Sequence, residues 1–406
     1  MIPKVKHWQS FRSFTDKYFT GSFAFYSLWD SRQTDSGSAQ RMMKIKFRKP
    51  KFKRSTVIAV LWPFTLAIMV FLTVRFSIGN SGLVERYYST GIYPVIARLF
   101  SGFSTFIPFS LWDTFWILCI VLLLTGMVLV VFRKIKFGWY VIRIVQLLAI
   151  LYAFFYFAWG FNYFRPKIET RLDWVKTKAD EDVFRAMLDS IIAHTNSSYV
   201  SISSTDYSAI DQLVEASYRK NSKELGIGYP NGSRRPKTML FSSFFAKSGV
   251  SGYFGPFFNE VHLNYYLLPM EYPYVLAHEK AHQFGITNEA EANFAAFVVC
   301  TTSDDQRLKY SGYVNLLLYF LSDASQLKDV TSYIRKIEKP VIHDLRFQRS
   351  HWQGLRNKTL DQMQTSANNA YLKTNHIEEG VKNYNKVVAL VINWYKNSNH
   401  DKAVKH

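Results

Sequence analysis

The chain has 406 residues, with a hydrophobic fraction of 48%, an aromatic fraction of 17% and a formal net charge of +20; that length holds about two or three domains. Its two cysteines, Cys119 and Cys300, exclude a disulfide framework and speak against a cysteine-built zinc site. The basic excess excludes little until it is placed: "RMMKIKFRKPKFKR", Arg41–Arg54, holds eight basic residues and no acid directly before an apolar run, which marks a cytoplasmic membrane flank and not a nucleic-acid arm.

Residues 1–55 read as a cytoplasmic basic tail. Its first part, 1–41, ends in the polar run "SRQTDSGSAQ" and reads either as a disordered tail or as an extension upstream of a start at Met42. Residues 56–165 read as a three-helix membrane region. Thr56–Val74, Thr114–Phe132 and Ile144–Phe161 are each apolar over a length able to cross the hydrocarbon core, and Pro63 is tolerated inside a span. The first is too long for a removable signal peptide and no small-residue cleavage site follows it. Asp113 and Gln146 are polar groups near lipid, explained by an interfacial position or a helix–helix contact. The loop "RKIKFGWYVIR" has four basic residues and no acids, whereas Arg75–Asp113 balances three basic residues against two acidic ones. Positive-inside counting therefore puts the N-terminus in the cytoplasm and everything after residue 165 outside, in a bacterial inner membrane.

Residues 166–406 read as a separate domain with no further spanning run. Amphipathic helices are expected from Asp180 and from Thr205. Between Lys237 and Asn264, short strands are expected at "TMLFSS" and "FFNEVHLN", and after Pro273 the chain reads as helical to its end. The second strand places Glu260, His262 and Asn264 on one face; as an edge strand it would pair with an extended peptide substrate.

The chemistry concentrates in "YVLAHEKAHQFGITNEAEANFAAF", Tyr274–Phe297. His278 and His282, at i and i+4 of a helix that Pro273 opens and Gly285 closes, project from one face. Two neutral imidazoles so placed can each reach one zinc ion. Glu279 stands beside that position, able to hold and deprotonate a water without ligating. On the pentapeptide alone, a charged surface helix spells the same letters, so the downstream pattern matters. Thr287 can cap a second helix, whose Glu289 supplies the third ligand that a catalytic zinc needs. Glu291 competes for that role from another face, and Asn293 can support a ligating histidine through a hydrogen bond. Tyr253, His343, Arg346 and His351 are candidate donors to an oxyanion.

HExxH followed by E-x-x-A-(N/D) resembles the zinc peptidases called gluzincins, in particular the membrane-bound prenyl-protein and HtpX-type peptidases, and the small phage-repressor-cleaving peptidases. That resemblance implies His278, His282 and Glu289 as zinc ligands, Glu279 as catalytic base and Asn293 as the supporting residue. The chain departs from those families in the close spacing of the two motifs and in Asn for the commoner Asp. From residue 56 onward it also resembles an uncharacterised bacterial membrane family, through the three spans, "PFSLWD" (Pro108–Asp113), "WGFNYFRP" (Trp159–Pro166), "AHEKAHQFGITNEAEANF" (Ala277–Phe294) and "NNAYLKTNH…GVKNY" (Asn368–Tyr384). The expectation is a mainly α membrane protein whose three N-terminal helices precede an α+β zincin-like, gluzincin-type extracytoplasmic domain. Its function would be zinc-dependent hydrolysis of peptide bonds, with the lipid bilayer and a peptide or protein substrate as partners and no nucleic acid. Two alternatives stand beside it: a zinc hydrolase of another amide, as in cell-wall material, and a non-catalytic membrane-anchored interaction protein with a structural or degenerate zinc site.

Overall fold

The computed structural model describes residues 54–175, 181–375, 377 and 386–404. All belong to one compact unit, Lys53–His406, so the membrane region and the residues after 165 fold together. The basic flank up to Lys53 and the polar tail before it lie outside the described residues.

Hydropathy dictates the first layer. Helix α1 (Arg54–Ile78) is followed by a π-helical stretch, Val84–Ile92, that runs directly into α2 (Tyr93–Thr105); α3 (Leu111–Val131) and α4 (Phe137–Ala158) come next. Helices α1, α3 and α4 are long and apolar enough to cross a membrane, and little of each is buried inside the protein (11, 6 and 22% of its apolar window), which leaves long surfaces suited to lipid. Several of their polar side chains are satisfied by backbone carbonyls of the helices themselves. Thr65, Thr73 and Ser77 donate to the carbonyls four residues back, and Gln146 donates to Val60 O at 2.9 Å, tying α4 to α1. The third span begins seven residues before the expected Ile144, because "FGWYVIR" is helical and not loop. It stops at Ala158, where Trp159 leaves the helical conformation and a 3-10 turn, Gly160–Phe164, begins.

The second layer is helical around a small sheet. Helices α5 (Glu181–Ser197) and α6 (Tyr207–Asn221) precede β1 (Lys237–Thr238), a short helix α7 (Ser242–Lys247), β2 (Gly252–Gly255) and β3 (Glu260–Leu263). Then follow α8 (Tyr272–Gln283), α9 (Glu289–Thr301), α10 (Gln306–Ala324), α11 (Val330–Arg335), α12 (Lys339–Leu355), α13 (Lys358–Thr374) and α14 (Val387–Val404). Helix α9 is the core: Glu289 to Cys300 are all buried. It packs among α6, α8, α10 and α14 through Phe294, Phe297, Leu276, Leu317 and Val391.

Two expectations about the strands are corrected. "TMLFSS" contributes only Thr238 to a strand and then turns into α7. The strand carrying Glu260 and His262 is the middle one, since β3 pairs with β1 in parallel and with β2 antiparallel. It therefore offers no free edge to a substrate, and the edge strands are β1 and β2. Its three polar residues are buried and occupied. Asn264 pins the loop around it, donating to Val250 O at 2.9 Å and Ser242 O at 3.1 Å.

Glu260 and His262 dock the sheet onto the membrane layer. Glu260 accepts from Ser104 Oγ of α2 at 2.6 Å and from Trp112 N, in the first turn of α3, at 2.9 Å, and it pairs with buried Lys237. His262 Nε2 lies 2.8 Å from Ser110 Oγ, the residue capping α3. Burial alone would raise the carboxyl's pKa; the hydrogen bonds from His262, Lys237, Ser104 and the Trp112 amide outweigh it and hold it down at about 2.

A folded-state pKa of about 2 lies below the ordinary glutamate value of ~4.3, so Glu260 should contribute about 3 kcal/mol of stability above that ordinary value. The contribution is lost as the pH falls towards 2. Glu260→Gln, which strands Lys237 in a buried site, should lower stability by about 3–5 kcal/mol at pH 7 and flatten that acid dependence. Thermal unfolding of the full chain in detergent across pH 2–7 checks both.

Candidate metal centre

Helix α8 carries the two histidines on one face because they are four residues apart. Pro273 sits in its first turn, and Gly285, with φ +84°, ends it in the left-handed conformation that favours glycine. A Cβ at Gly285 would also lie 3.0 Å from both Asn162 Oδ1 and a ring carbon of Tyr93. The reversal into α9 is held by residues that follow or lie between the apolar helices. Trp159 Nε1 donates to His282 O at 2.9 Å, Tyr93 Oη to Gln283 O at 2.8 Å, and Arg165 Nη1 to Gly285 O at 2.9 Å. Arg165 is itself fixed by a two-point pair with Glu85 at 2.7 and 2.8 Å.

Helix α9 is capped by Asn288, whose side chain accepts from Glu291 N at 3.1 Å, and not by Thr287 as expected. Thr287 instead donates to Asn162 O at 3.4 Å. With that start, Glu289 faces α8. Its Oε2 lies 3.2 Å from His278 Nε2 and 3.4 Å from His282 Nε2, and the two Nε2 atoms are 3.2 Å apart. Donors of a tetrahedral zinc at about 2.0–2.1 Å are about 3.3 Å from one another. These three atoms therefore already stand at the edges of such a polyhedron. His282 Nδ1 is 2.7 Å from Ile286 O, so that nitrogen carries the proton and Nε2 of the neutral ring keeps its lone pair. Glu289 Oε2 is buried with no hydrogen-bond donor. Two imidazole nitrogens and a carboxylate oxygen fit zinc chemically as well as geometrically.

Electrostatics couple these buried groups to one another. Burial opposes ionisation of Glu289, yet His282 and His278 pull its carboxyl well below the usual range. Burial likewise disfavours a charged His282, but Glu289 raises it to about 9. Glu279 is buried beside both histidines and is pushed up by desolvation, with the two imidazoles opposing.

Glu291, the competing third ligand, is committed elsewhere. Its Oε2 pairs with Arg171 at 3.0 Å and its Oε1 accepts from Ile168 N at 3.0 Å. Asn293 lines the same cleft, but its Oδ1 faces the Tyr274 hydroxyl at 3.4 Å and its side chain hydrogen-bonds Tyr319; among the described residues it bonds to neither histidine. Of the oxyanion candidates, Tyr253 lines the cleft while its hydroxyl donates to Asp113. His343 is exposed beside Asp344, His351 Nε2 lies 2.7 Å from Tyr266 O, and neither they nor Arg346 reach the cleft.

The site opens into a cleft of about 750 Å³ between α8 and α9 on one side and α12 and α13 on the other, with β2 along its rim. Sequence reasoning missed the rim. A Cβ at Gly252 would come within 2.6 Å of Glu279 Oε1, so the bare backbone of the edge strand lies against that carboxylate. It also missed Tyr163 and Tyr371, whose hydroxyls meet at 2.9 Å across the cleft wall from positions 208 residues apart. Nothing local in "GYFG" flags the strand.

Glu289→Gln should reduce zinc affinity by at least about tenfold, whereas Glu291→Gln should leave it within a few-fold and lower thermal stability, because Arg171 loses its buried partner. Calorimetric zinc titration of the full chain, with unfolding curves for each variant, separates the two. Gly252→Ala should displace Glu279 and leave the three donors in place, so zinc affinity should change within a few-fold in the same titration.

Comparison with known proteins finds one family model, described as a protein of unknown function (DUF3810), that matches residues 88–392. No curated protein and no solved structure matches the chain. Residues 88–392 span α2, the second and third apolar helices, the sheet and the candidate site, and on that match the chain belongs to the DUF3810 family.

Proposed function

We propose that this chain is a membrane-anchored, zinc-dependent peptidase of gluzincin type. The observation that carries the reading is the convergence of His278 Nε2, His282 Nε2 and Glu289 Oε2 at 3.2–3.4 Å from one another, with Glu279 buried alongside in an open cleft. His278, His282 and Glu289 would hold the ion. Zinc bound there supplies a Lewis acid for a carbonyl oxygen and lowers the pKa of water.

The remaining steps belong to the chain's own residues. Glu279 accepts the proton of the attacking water and passes it to the leaving amine; desolvation, which raises its pKa, favours its taking up that proton. Gly252 lets the β2 backbone approach that carboxylate, and the outer edge of β2 offers main-chain groups to an extended peptide, a mode in which backbone hydrogen bonds set the register. Tyr371, whose hydroxyl accepts from Tyr163, supplies an O–H donor on the cleft wall for charge developing on the carbonyl oxygen.

Charge and the fold support one orientation. Arg133, Lys134 and Lys136 occupy the tight turn between α3 and α4, whereas the Arg165–Glu85 pair ties the residues after α4 to those after α1. The short basic turn belongs in the cytoplasm and the cleft outside.

Glu279→Gln should retain zinc and lose hydrolysis by about 10²–10⁴-fold; retained hydrolysis would remove Glu279 from the mechanism. Reporter fusions give an independent check of orientation. A periplasmic reporter fused after Arg165 should be active and one fused after Lys136 inactive, and the reverse pattern would put the cleft in the cytoplasm.

A further inference from the structure

Helix α2 lies between two candidate spans, yet it is not a soluble loop. One face, with Tyr93, Ile96, Ala97, Ser101 and Ser104, is buried against the protein. The other carries Val95, Leu99 and Phe103, with Ile92 before the helix and Phe106 after it. These five follow helical spacing and are each more than half exposed. Phe109, also more than half exposed, stands two residues before α3 begins. At about 3.3–3.6 Å per residue, it cannot lie more than roughly 7 Å from the end of that span.

A second apolar tip stands at the same level. Leu240, Phe241 and Phe244, around the start of α7, are more than half exposed, and Leu240 N donates to Asp113 Oδ2, in the first turn of α3, at 2.9 Å. The chain leaves α7 straight into Ser248–Ser251, which lines the cleft. Soluble surfaces rarely expose apolar patches of this extent. Here the patch is continuous with spans that bury little of their own surface, and α2 holds one charged residue, Arg98, which packs against Gly232.

We infer that the exposed face of α2 and the Leu240–Phe244 tip are seated in the bilayer, so that the cleft opens at the membrane surface and takes polypeptide tethered there. The occupant of the patch is lipid; the substrate class rests on the peptidase reading. The tether raises the local concentration of substrate at the cleft without adding a contact.

Nitroxide labels at Leu99, Phe103, Phe241 and Phe244 test the seating, with Asp304 and Lys339 as exposed controls. The full chain carries Cys119→Ala and Cys300→Ala and is reconstituted in phosphatidylethanolamine–phosphatidylglycerol vesicles. The four patch positions should collide with oxygen more than with a water-soluble nickel complex, and the controls the reverse. Nickel access at the patch, or spin coupling between copies there, would overturn the seating. For the substrate, quenched casein should be cut about tenfold faster when coupled to phospholipid in the same vesicles than when free, and Phe241→Asp with Phe244→Asp should remove that advantage. Equal rates would overturn surface presentation. Cleavage of neither form, with the depth result intact, would sink the peptidase reading and leave the seating standing.

Discussion

The turn between α8 and α9 is the constraint on which the site depends. Two histidines four residues apart share a face in any helix, but a third donor opposite them requires the chain to reverse within six residues of His282. Gly285 makes the reversal possible, and Asn288 starts the next helix in the register that turns Glu289 inward. One residue of slip would rotate Glu289 by about 100° and leave two imidazoles facing an empty quarter. The carbonyls exposed by the turn are bonded by Trp159, Tyr93 and Arg165, all from the membrane-proximal layer.

That arrangement makes the three apolar helices part of the site's scaffold and not merely its anchor. Trp159 and Arg165 follow α4 directly, Tyr93 opens α2, and Glu85 fixes Arg165 from the stretch after α1. The sheet repeats the pattern from the other side of the cleft: Glu260 and His262 of its middle strand grip the start of α3, and this leaves β2 as the free edge over Glu279. Buried charges are costly unless paired and hydrogen-bonded. Glu260, Lys237 and Arg165 are buried because their partners span layers, and a separately expressed C-terminal portion would lose those partners.

Much of this was legible in the sequence where one local rule dominates. Hydropathy located the three apolar helices to within a few residues, missing the start of α4 only because Trp139, Tyr140 and Arg143 dilute its first turns. The i, i+4 spacing and Gly285 placed the histidines and the break after them, and the geometry separates Glu289 from Glu291 as periodicity suggested. The competing choices between Thr287 and Asn288 as cap, and between edge and middle for the Glu260 strand, depend on tertiary partners that no local pattern encodes. Four residues with a glycine at each end do not announce a strand. Tyr163 and Tyr371 meet only because α13 folds back over α4's end, a contact between distant segments. The apolar face of α2 was hidden because its neighbours in sequence are spans, and a segment between spans is read as a loop.

Zinc in the purified full chain is the most direct test of the account. Elemental analysis with X-ray absorption at the zinc edge should find one zinc per chain in a nitrogen and oxygen shell at about 2.0–2.1 Å, with two imidazoles and no sulfur, and His282→Ala should abolish it. A metal-replete chain that holds no zinc, or holds it unchanged in His282→Ala, would contradict the central claim.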